Sequence, residues 1–229
     1  YLAKQPGRKA EPLMYRVLML LPTINRLWGT MRVDSMEEWT DSWGMQEFYA
    51  GNGSQGAEDA WYSIASEVER YKLYNESFVG GTVDIAKCFD QMSRTLLYVL
   101  AKAAGMPERI LSTYIRFQEE RLVQNTISGG LGKPYKRRCG FPQGDPLSMM
   151  MTALLLRPWV MLMKARHLFP SILADDILLV AKDKDMLGNF SIGLHETHEY
   201  LIMMGAKIAP KKSSTILYKE DERNCKPIT

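Results

Sequence analysis

Three aspartates in this sequence stand beside apolar runs, where carboxylates are unusual. Asp175 and Asp176 are adjacent within "ILADDILLV", and Asp84 ends the apolar stretch "FVGGTVD". Charge next to aliphatic side chains is costly unless cations or hydrogen bonds compensate it. Carboxylates brought together at strand ends repel one another unless divalent cations lie between them, and two-metal phosphoryl transfer uses that arrangement. The three residues are therefore candidate metal ligands and catalytic groups.

Each of these aspartates also has a simpler explanation. Aspartate tolerates the backbone of a tight turn and is well solvated, so Asp175 and Asp176 are also typical of an exposed hairpin tip. Asp84 is equally suited to capping the N-terminus of a following helix. The catalytic interpretation therefore depends on the combination and on the elements that position it.

The pattern around the aspartates predicts interleaved strands and helices. A strand ends at Asp84, and the helix after it ends at Gly105 and is followed by another that Pro107 begins. A helix over about 147–164 precedes "SILADDILLVA", which predicts a hairpin with the aspartate pair at its tip. A helix over 185–204 and a strand follow, which together favour one α/β or α+β unit.

A glycine-containing hairpin at about 121–139, "RLVQNTISGGLGKPYKRRC", holds the strongest basic cluster of the chain. A nucleic-acid backbone is the partner that such a cluster favours. Its candidate binding residues are Lys133, Lys136, Arg137 and Arg138.

Composition limits the alternatives without selecting among them. The 229 residues are 46% hydrophobic, which is enough for a core, and 29 basic against 26 acidic residues is too even to indicate a partner. Three dispersed cysteines with no CxxC pair argue against zinc or a disulfide framework and favour a reducing compartment. The apolar runs are too short to span a bilayer, so we expect no membrane segment and no signal peptide. The first residue is not Met, and we expect the chain to be a fragment.

Three segments, in this order, resemble the palm motifs of reverse transcriptases: "GGTVDIAKCFDQM", "RCGFPQGDPLSM" and "LADDILLVA". The similarity is greatest to the non-LTR (LINE-type) retrotransposon and group II intron enzymes. "YRVLMLLPTINRLW", "MQEFYAGNGSQGAEDA" and "YLIMMGAKIAPKKSSTIL" are similar to flanking segments of that family. The aspartate pair alone is a weak signal, whereas the ordered set is specific.

The resemblance implies roles for the acidic residues and for the nucleotide pocket. Asp84 and Asp175 would bind two Mg²⁺ ions, or Mn²⁺, and Asp176 would complete or support the cluster. Phe89 would exclude the ribose 2′-hydroxyl, although a core aromatic is its alternative explanation. Gln143 and Gly144 would line the nucleotide pocket, or simply form a turn before a helix.

The resemblance also implies cations for the triphosphate. Lys4 and Arg16 match the fingers cations that hold it, and Lys211 or Lys212 matches a late lysine that neutralises or protonates the pyrophosphate. Lys212, directly before Ser213, is preferred, and a solvated strand edge is the alternative for it.

The sequence also departs from the family pattern. Leu173 replaces the Tyr or Phe that usually precedes Ala-Asp-Asp, Arg16 is followed by Val-Leu instead of Pro-Ile, and Ser148 is followed by Met instead of Pro. No metal ligand is removed, so activity and a decayed or domesticated copy both remain compatible with the sequence.

The resemblance implies an α+β fold: the fingers and palm of a right-hand polymerase, with an antiparallel, ferredoxin-like palm sheet backed by helices. We expect fingers at 1–78 and palm at 79–229, with no thumb because about 17 residues follow the late lysines. The implied activity is RNA-directed DNA polymerisation with an RNA template, a DNA primer and deoxynucleoside triphosphates. The implied location is intracellular, in the nucleus with a cytoplasmic phase.

Two other functions fit part of the pattern. A noncatalytic nucleic-acid-binding scaffold is favoured if Leu173 and the other departures reflect lost activity. A phosphoacceptor signalling domain also combines an acidic pair, a strand-end Asp and a Lys. In that class, however, the pair precedes the acceptor, whereas Asp84 comes first here.

Overall fold

A computed structural model describes residues 2–3, 15–16, 18–51, 55–127, 129–182, 184–219 and 222–227, with side chains for 18–51, 55–126, 129–182 and 184–218. The chain forms two compact units, each made from two stretches of sequence. Unit 1 contains Tyr1–Met36 and Phe89–Ser148, and unit 2 contains Glu37–Cys88 and Met149–Thr229. The sequence-based division into fingers at 1–78 and palm at 79–229 stays a prediction.

The helices and strands alternate along the chain, as the sequence pattern predicts. In chain order they are β1 (Leu2–Ala3), β2 (Tyr15–Arg16), α1 (Thr23–Ser35), α2 (Glu37–Trp43), α3 (Ala57–Leu73), β3 (Phe78–Asp84), α4 (Cys88–Gln91), α5 (Arg94–Ala103), α6 (Glu108–Glu120), β4 (Thr126–Ile127), β5 (Gly130–Leu131), α7 (Ser148–Ala165), β6 (Phe169–Leu173), β7 (Asp176–Lys182), α8 (Met186–Met203), a 3₁₀ turn (Pro210–Lys212), β8 (Ser214–Lys219) and β9 (Glu222–Pro227).

Unit 2 is built on a five-stranded antiparallel sheet in the order β6-β7-β3-β8-β9. The strand β3 is central, and Gly81 lets it pack closely against α8. A Cβ on Gly81 would lie 2.7 Å from the ring of Phe190 in α8, so only glycine fits there without a shift. The pairing of β3 with β7 extends to Asp84, whereas its pairing with β8 ends at Thr82.

One face of this sheet packs against α8, which in turn packs against α7. Since side chains alternate along a strand, the buried residues Ile177, Leu179 and Ala181 of β7 face this layer. The indole Nε1 of Trp159 in α7 donates to Thr197 Oγ1 in α8 at 2.9 Å. The helix α7 is apolar on nearly all sides because it is enclosed in the core.

The other face of the sheet packs against α3. Tyr71 of α3, Phe78 of β3 and Tyr218 of β8 form a ring cluster with centroid separations of 5.1 Å and 5.5 Å. The opposite face of α3 is exposed. Because Phe78 and Asp84 are an even number of residues apart, both point to the α3 face of the sheet.

Unit 1 combines α1, the packed pair α5 and α6, and the hairpin of β4 and β5. Ser93 begins α5 as its N-cap, with its hydroxyl accepting from the Leu96 N–H at 3.3 Å. A buried arginine, Arg94, then donates to the carbonyls of Gln118 and Arg137. This arginine ties the end of α6 to the return arm of the basic hairpin.

The structure confirms the strand ending at Asp84, the hairpin with the aspartate pair and the basic hairpin. It does not support the helix N-cap explanation of Asp84, because α4 begins only at Cys88. The helix α2 and the strand β9 were not predicted. Within the described ranges, no helix has both the length and the apolar character to cross a bilayer.

Candidate functional site

The antiparallel pairing of β3 and β7 places two of the candidate aspartates side by side. Asp84 is the Cα partner of Asp176 at the end of the ladder. Directly opposed residues in such a pair have Cβ atoms roughly 4.5–5.5 Å apart and point to the same face. Two carboxylates in that relation repel each other, so the position favours a bound cation.

Both carboxylates open into a cavity of about 540 Å³ within unit 2. Its wall includes Asp84, Asp176 and Lys212, together with Leu173 and residues of α3. Asp176 is exposed, whereas the Asp84 side chain is 19% exposed. The site is therefore an open cleft at the edge of the sheet, large enough for a small ligand.

Asp175 lies in the two-residue turn that joins β6 to β7. Leu173 and Asp176 are paired across this turn, and Ala174 precedes Asp175 with a φ of +59°. A residue with a Cβ is strained in this left-handed conformation. Asp175 is half-buried beside Asp176, so all three acidic candidates lie at the same end of the β3–β7 ladder.

The segment after α8 crosses the end of β3 and presents a lysine. The Ala86 N–H donates to the Lys207 carbonyl at 2.7 Å, and the Ala209 N–H donates to the Asp84 carbonyl at 2.8 Å. Lys212 Nζ then donates to both carboxylate oxygens of Asp84, at 2.9 Å and 3.1 Å. Its ammonium group thus offsets the charge on Asp84.

The donor set suits magnesium only in part. In the described ranges, no grouping of three or more His, Cys, Asp or Glu side chains could hold a metal ion. Asp84 and Asp176 nevertheless supply hard oxygen donors, and Mg²⁺ is commonly bound by one or two carboxylates with waters and substrate phosphates. Asp84 and Asp176 therefore fit a Mg²⁺ ion whose remaining ligands are water and the phosphates of a substrate.

In unit 1, the loop that contains Gln143 and Gly144 begins against the backbone of Phe89. The Phe141 N–H donates to the Phe89 carbonyl at 2.6 Å, which holds the loop containing Gln143 and Gly144 against α4. Gly140 has a φ of +75°, and a Cβ there would lie 2.5 Å from the Phe89 carbonyl oxygen. This contact between backbones requires glycine.

The basic cluster divides into exposed and paired residues. Lys133, Lys136 and Arg138 are exposed on the return arm of the hairpin. Arg137 is only 12% exposed, and its guanidinium donates to Asp90 Oδ1 at 2.8 Å. Of the four candidates, Arg137 already has an acidic partner within unit 1.

Two of the candidate triphosphate ligands cannot be placed. Lys4 lies outside the described residues. Arg16 lies in β2, paired with Leu2 of β1, and its side chain is outside the described set.

Two polar residues near these sites were assigned no role from the sequence. Ser213 accepts the Asp84 N–H at 3.2 Å and donates to the Ala209 carbonyl at 3.0 Å, which fixes the turn that carries Lys212. Asp145, within "PQGDP", is buried and accepts from the Leu147 N–H at 3.1 Å, and burial raises its pKa. In the sequence, only its position directly after Lys212 drew attention to Ser213.

The sequence matches the model of the protein family described as reverse transcriptase (RNA-dependent DNA polymerase) over residues 14–226. No curated protein matches it.

Solved telomerase structures have a similar fold. Apo telomerase from Candida tropicalis, truncated from its C-terminal domain, has a TM-score of 0.61 and 15% identity, over 88% of this chain and 41% of that one. Telomerase from Candida albicans, in complex with a TWJ fragment of telomeric RNA, has a TM-score of 0.59 and 15% identity, over 88% and 34%. The chain thus spans less than half of these proteins. The likeness confirms the α+β fold with its antiparallel palm sheet.

Proposed function

Because the chain belongs to the reverse transcriptase (RNA-dependent DNA polymerase) family, we propose that it is the polymerase part of a retroelement protein. It extends a DNA primer along an RNA template, using deoxynucleoside triphosphates. The order of its motifs favours a LINE-type or group II intron relative. Its place of action in this proposal is the nucleus, with a cytoplasmic phase.

One observation carries the proposal. Asp84 and Asp176 lie opposite each other at the open end of a rigid ladder, with Asp175 in the adjoining turn and Lys212 on Asp84. Concentrating carboxylates there is unfavourable for stability alone, because like charges directly opposite destabilise a sheet. Binding of cations and phosphates gives the arrangement a function.

The chain's residues act by positioning charge. Two Mg²⁺ ions, when bound by the aspartates, would supply activation of the primer 3′-hydroxyl and neutralise the phosphates. Asp84 and Asp176 are fixed by β3 and β7, so they need little reorganisation when substrate arrives. Lys212 exchanges its carboxylate partner for the pyrophosphate and gives the leaving oxygen the proton on Nζ.

The remaining substrate contacts rest on the motif resemblance. In unit 1, Phe89 excludes the ribose 2′-hydroxyl, and Gln143 and Gly144 line the side of the base. Arg16 and Lys4 bind the triphosphate. The assignment of Phe89 can be tested separately from the other four, because a Phe89→Ala variant should admit ribonucleotides without losing deoxynucleotide incorporation.

Template binding is assigned to the exposed members of the basic hairpin. Lys133, Lys136 and Arg138 can reach phosphates, whereas Arg137 is held by Asp90. Neutralising phosphates releases counterions, so affinity should fall steeply as salt rises. Base pairing, not the side chains, would read the template sequence.

Primer extension on an RNA template with Mg²⁺ tests the proposal. Asp84→Asn should reduce the rate more than about 100-fold, the scale seen when one preorganised electrostatic group is lost. Asp41→Asn is the matched control, since Asp41 is exposed on α2 in the same unit. Equal rates for wild type and Asp84→Asn would overturn the assignment of Asp84.

A noncatalytic nucleic-acid-binding scaffold is the second candidate. The observation that favours it is the ammonium of Lys212 on both oxygens of Asp84, which leaves the carboxylate neutralised without a metal. Salt-sensitive RNA binding without any Mg²⁺- or Mn²⁺-dependent extension would support the scaffold.

A further inference from the structure

The cleft that holds the carboxylates has an aromatic side chain on its rim. Trp61 of α3 is 72% exposed and lines the same cavity as Asp84, Asp176 and Lys212. It is the only one of the five tryptophans, all in the described ranges, that is an exposed residue. An indole beside a cluster of charges has a flat apolar face that water solvates poorly.

The helix α3 places this ring by its periodicity. Ala60 and Tyr71 are buried on its core-facing side. Ala57, Trp61 and Ile64 follow at spacings of four and three, so they share a neighbouring stripe, and all three line the cavity. The packing of α3 therefore places Trp61 at the wall of the cleft.

We infer that Trp61 is a stacking site for a nucleobase, that of the primer's 3′-terminal nucleotide. The inference rests on the proposed function, because the primer 3′-oxygen must then lie at Asp84. Its base, one sugar away, falls within the same cavity of about 540 Å³. Aromatic faces bind bases of any sequence, which is what a primer site requires.

The neighbouring wall shows why the ring matters here. Leu173, directly before the aspartate turn, lines the same cavity with an aliphatic side chain. Leucine can contact a base but offers no π face for it to stack on. Tyr49 also lines this cavity but is only 8% exposed, so among the described residues of its wall Trp61 offers the accessible aromatic face.

Helix α3 also provides a matched control. Tyr62 is 70% exposed and adjacent in sequence, but it does not line the cavity. Since both side chains are largely exposed, replacing either by leucine should leave the melting temperature nearly unchanged. The two variants differ in whether the lost ring lines the cavity that contains Asp84 and Asp176.

The test is a fluorescence-anisotropy titration of a 5′-labelled ten-nucleotide oligothymidylate with the whole chain in EDTA, where no extension can occur. We expect ~10-fold weaker binding for Trp61→Leu than for wild type, within the range measured for base–aromatic stacking. Trp61→Phe should retain most of the affinity, and Tyr62→Leu should bind like wild type. A second probe with an abasic 3′-terminal nucleotide should bind wild type and Trp61→Leu equally.

Two results would overturn the inference: unchanged affinity for Trp61→Leu, or the same loss with the abasic probe. Failure of the proposed function gives a different pattern. A chain that binds the oligonucleotide through Trp61 but extends no primer retains the stacking site and loses the polymerase assignment. A Leu173→Phe change in the Trp61→Leu background should restore part of the affinity, because it returns a ring to the same cavity.

Discussion

Two charged regions of the molecule differ in how far their charges are exposed. The acidic edge of unit 2 consists of Asp84, Asp175 and Asp176, and the arginine cluster of unit 1 consists of Arg94, Arg121 and Arg137. At the acidic edge, Asp176 is exposed, and Asp84 is paired with a lysine whose side chain is 62% exposed. In the cluster, Arg94 is 3% exposed and the guanidinium nitrogens of Arg121 are buried. The first region keeps its charges where a ligand can exchange with their partners, whereas the second encloses its charges, so that each of them affects the stability of the fold.

The difference shows why charge in a sequence does not identify a binding site. Arg137 belongs to the most basic run of the chain, yet its guanidinium is taken up by Asp90. A buried charge cannot leave its partners without a large cost in stability, because removing one partner leaves the other buried and unsolvated. Exposed pairs contribute little to stability and remain free to rearrange.

The largest effect on stability is expected from Arg94→Met. Arg94 donates to the carbonyls of Gln118 and Arg137, and its Nε lies 3.3 Å from Glu119 Oε1. The change leaves two acceptors without their donor and should lower the free energy of unfolding by ~3 kcal/mol. Urea denaturation measures this.

Arg116→Met serves as the control, since Arg116 is 77% exposed on α6. It should shift stability by less than ~0.5 kcal/mol. If the two arginine variants were equally stable, the cluster would not have the structural role assigned to it.

Arg121→Met should have a smaller effect of opposite sign. No hydrogen-bond partner is present for its three guanidinium nitrogens, and burial, followed by the charge of Arg137, lowers its pKa to about 10. A base whose pKa falls on folding binds its proton less tightly in the folded state, so it costs stability at neutral pH. Methionine keeps the contact with Phe117 without the charge and should raise the free energy of unfolding by ~1 kcal/mol.

The same denaturation experiment decides the sign. A loss of stability in Arg121→Met would mean that the guanidinium has a stabilising partner, and Arg121 would then resemble Arg94.

The sequence predicted the acidic edge better than the cluster, for a physical reason. Alternating apolar residues and a two-residue turn determine which strand ends meet. The proximity of Asp84, Asp175 and Asp176 could therefore be predicted from the sequence. The register of Asp84 with Asp176, rather than Asp175, depends on the pairing itself.

The arginine contacts depend on residues far apart in the chain. Arg137 meets Asp90 across 47 positions, and Arg94 meets Arg137 across 43. Local sequence patterns do not reveal contacts between such distant residues, so all four residues of the basic run, Arg137 included, were predicted to bind nucleic acid. Trp61 was missed for the same reason, because its exposure beside Asp84 follows from how α3 packs on the sheet.

The smallest effect on stability is expected from Lys212→Met, although the pair it breaks is well formed. Its ammonium contacts both oxygens of Asp84, but the side chain is 62% exposed, so water can replace much of the interaction. The free energy of unfolding should change by less than ~1 kcal/mol. Primer extension should nevertheless fall by ~100-fold if Lys212 protonates the leaving group.

Lys211→Met is the control, because Lys211 is one residue earlier on the same turn and also exposed. It should leave the free energy of unfolding and the rate of primer extension unchanged. A loss of stability in Lys212→Met as large as that of Arg94→Met would show that the acidic edge, too, is committed to the fold, and that its lysine is not available for exchange.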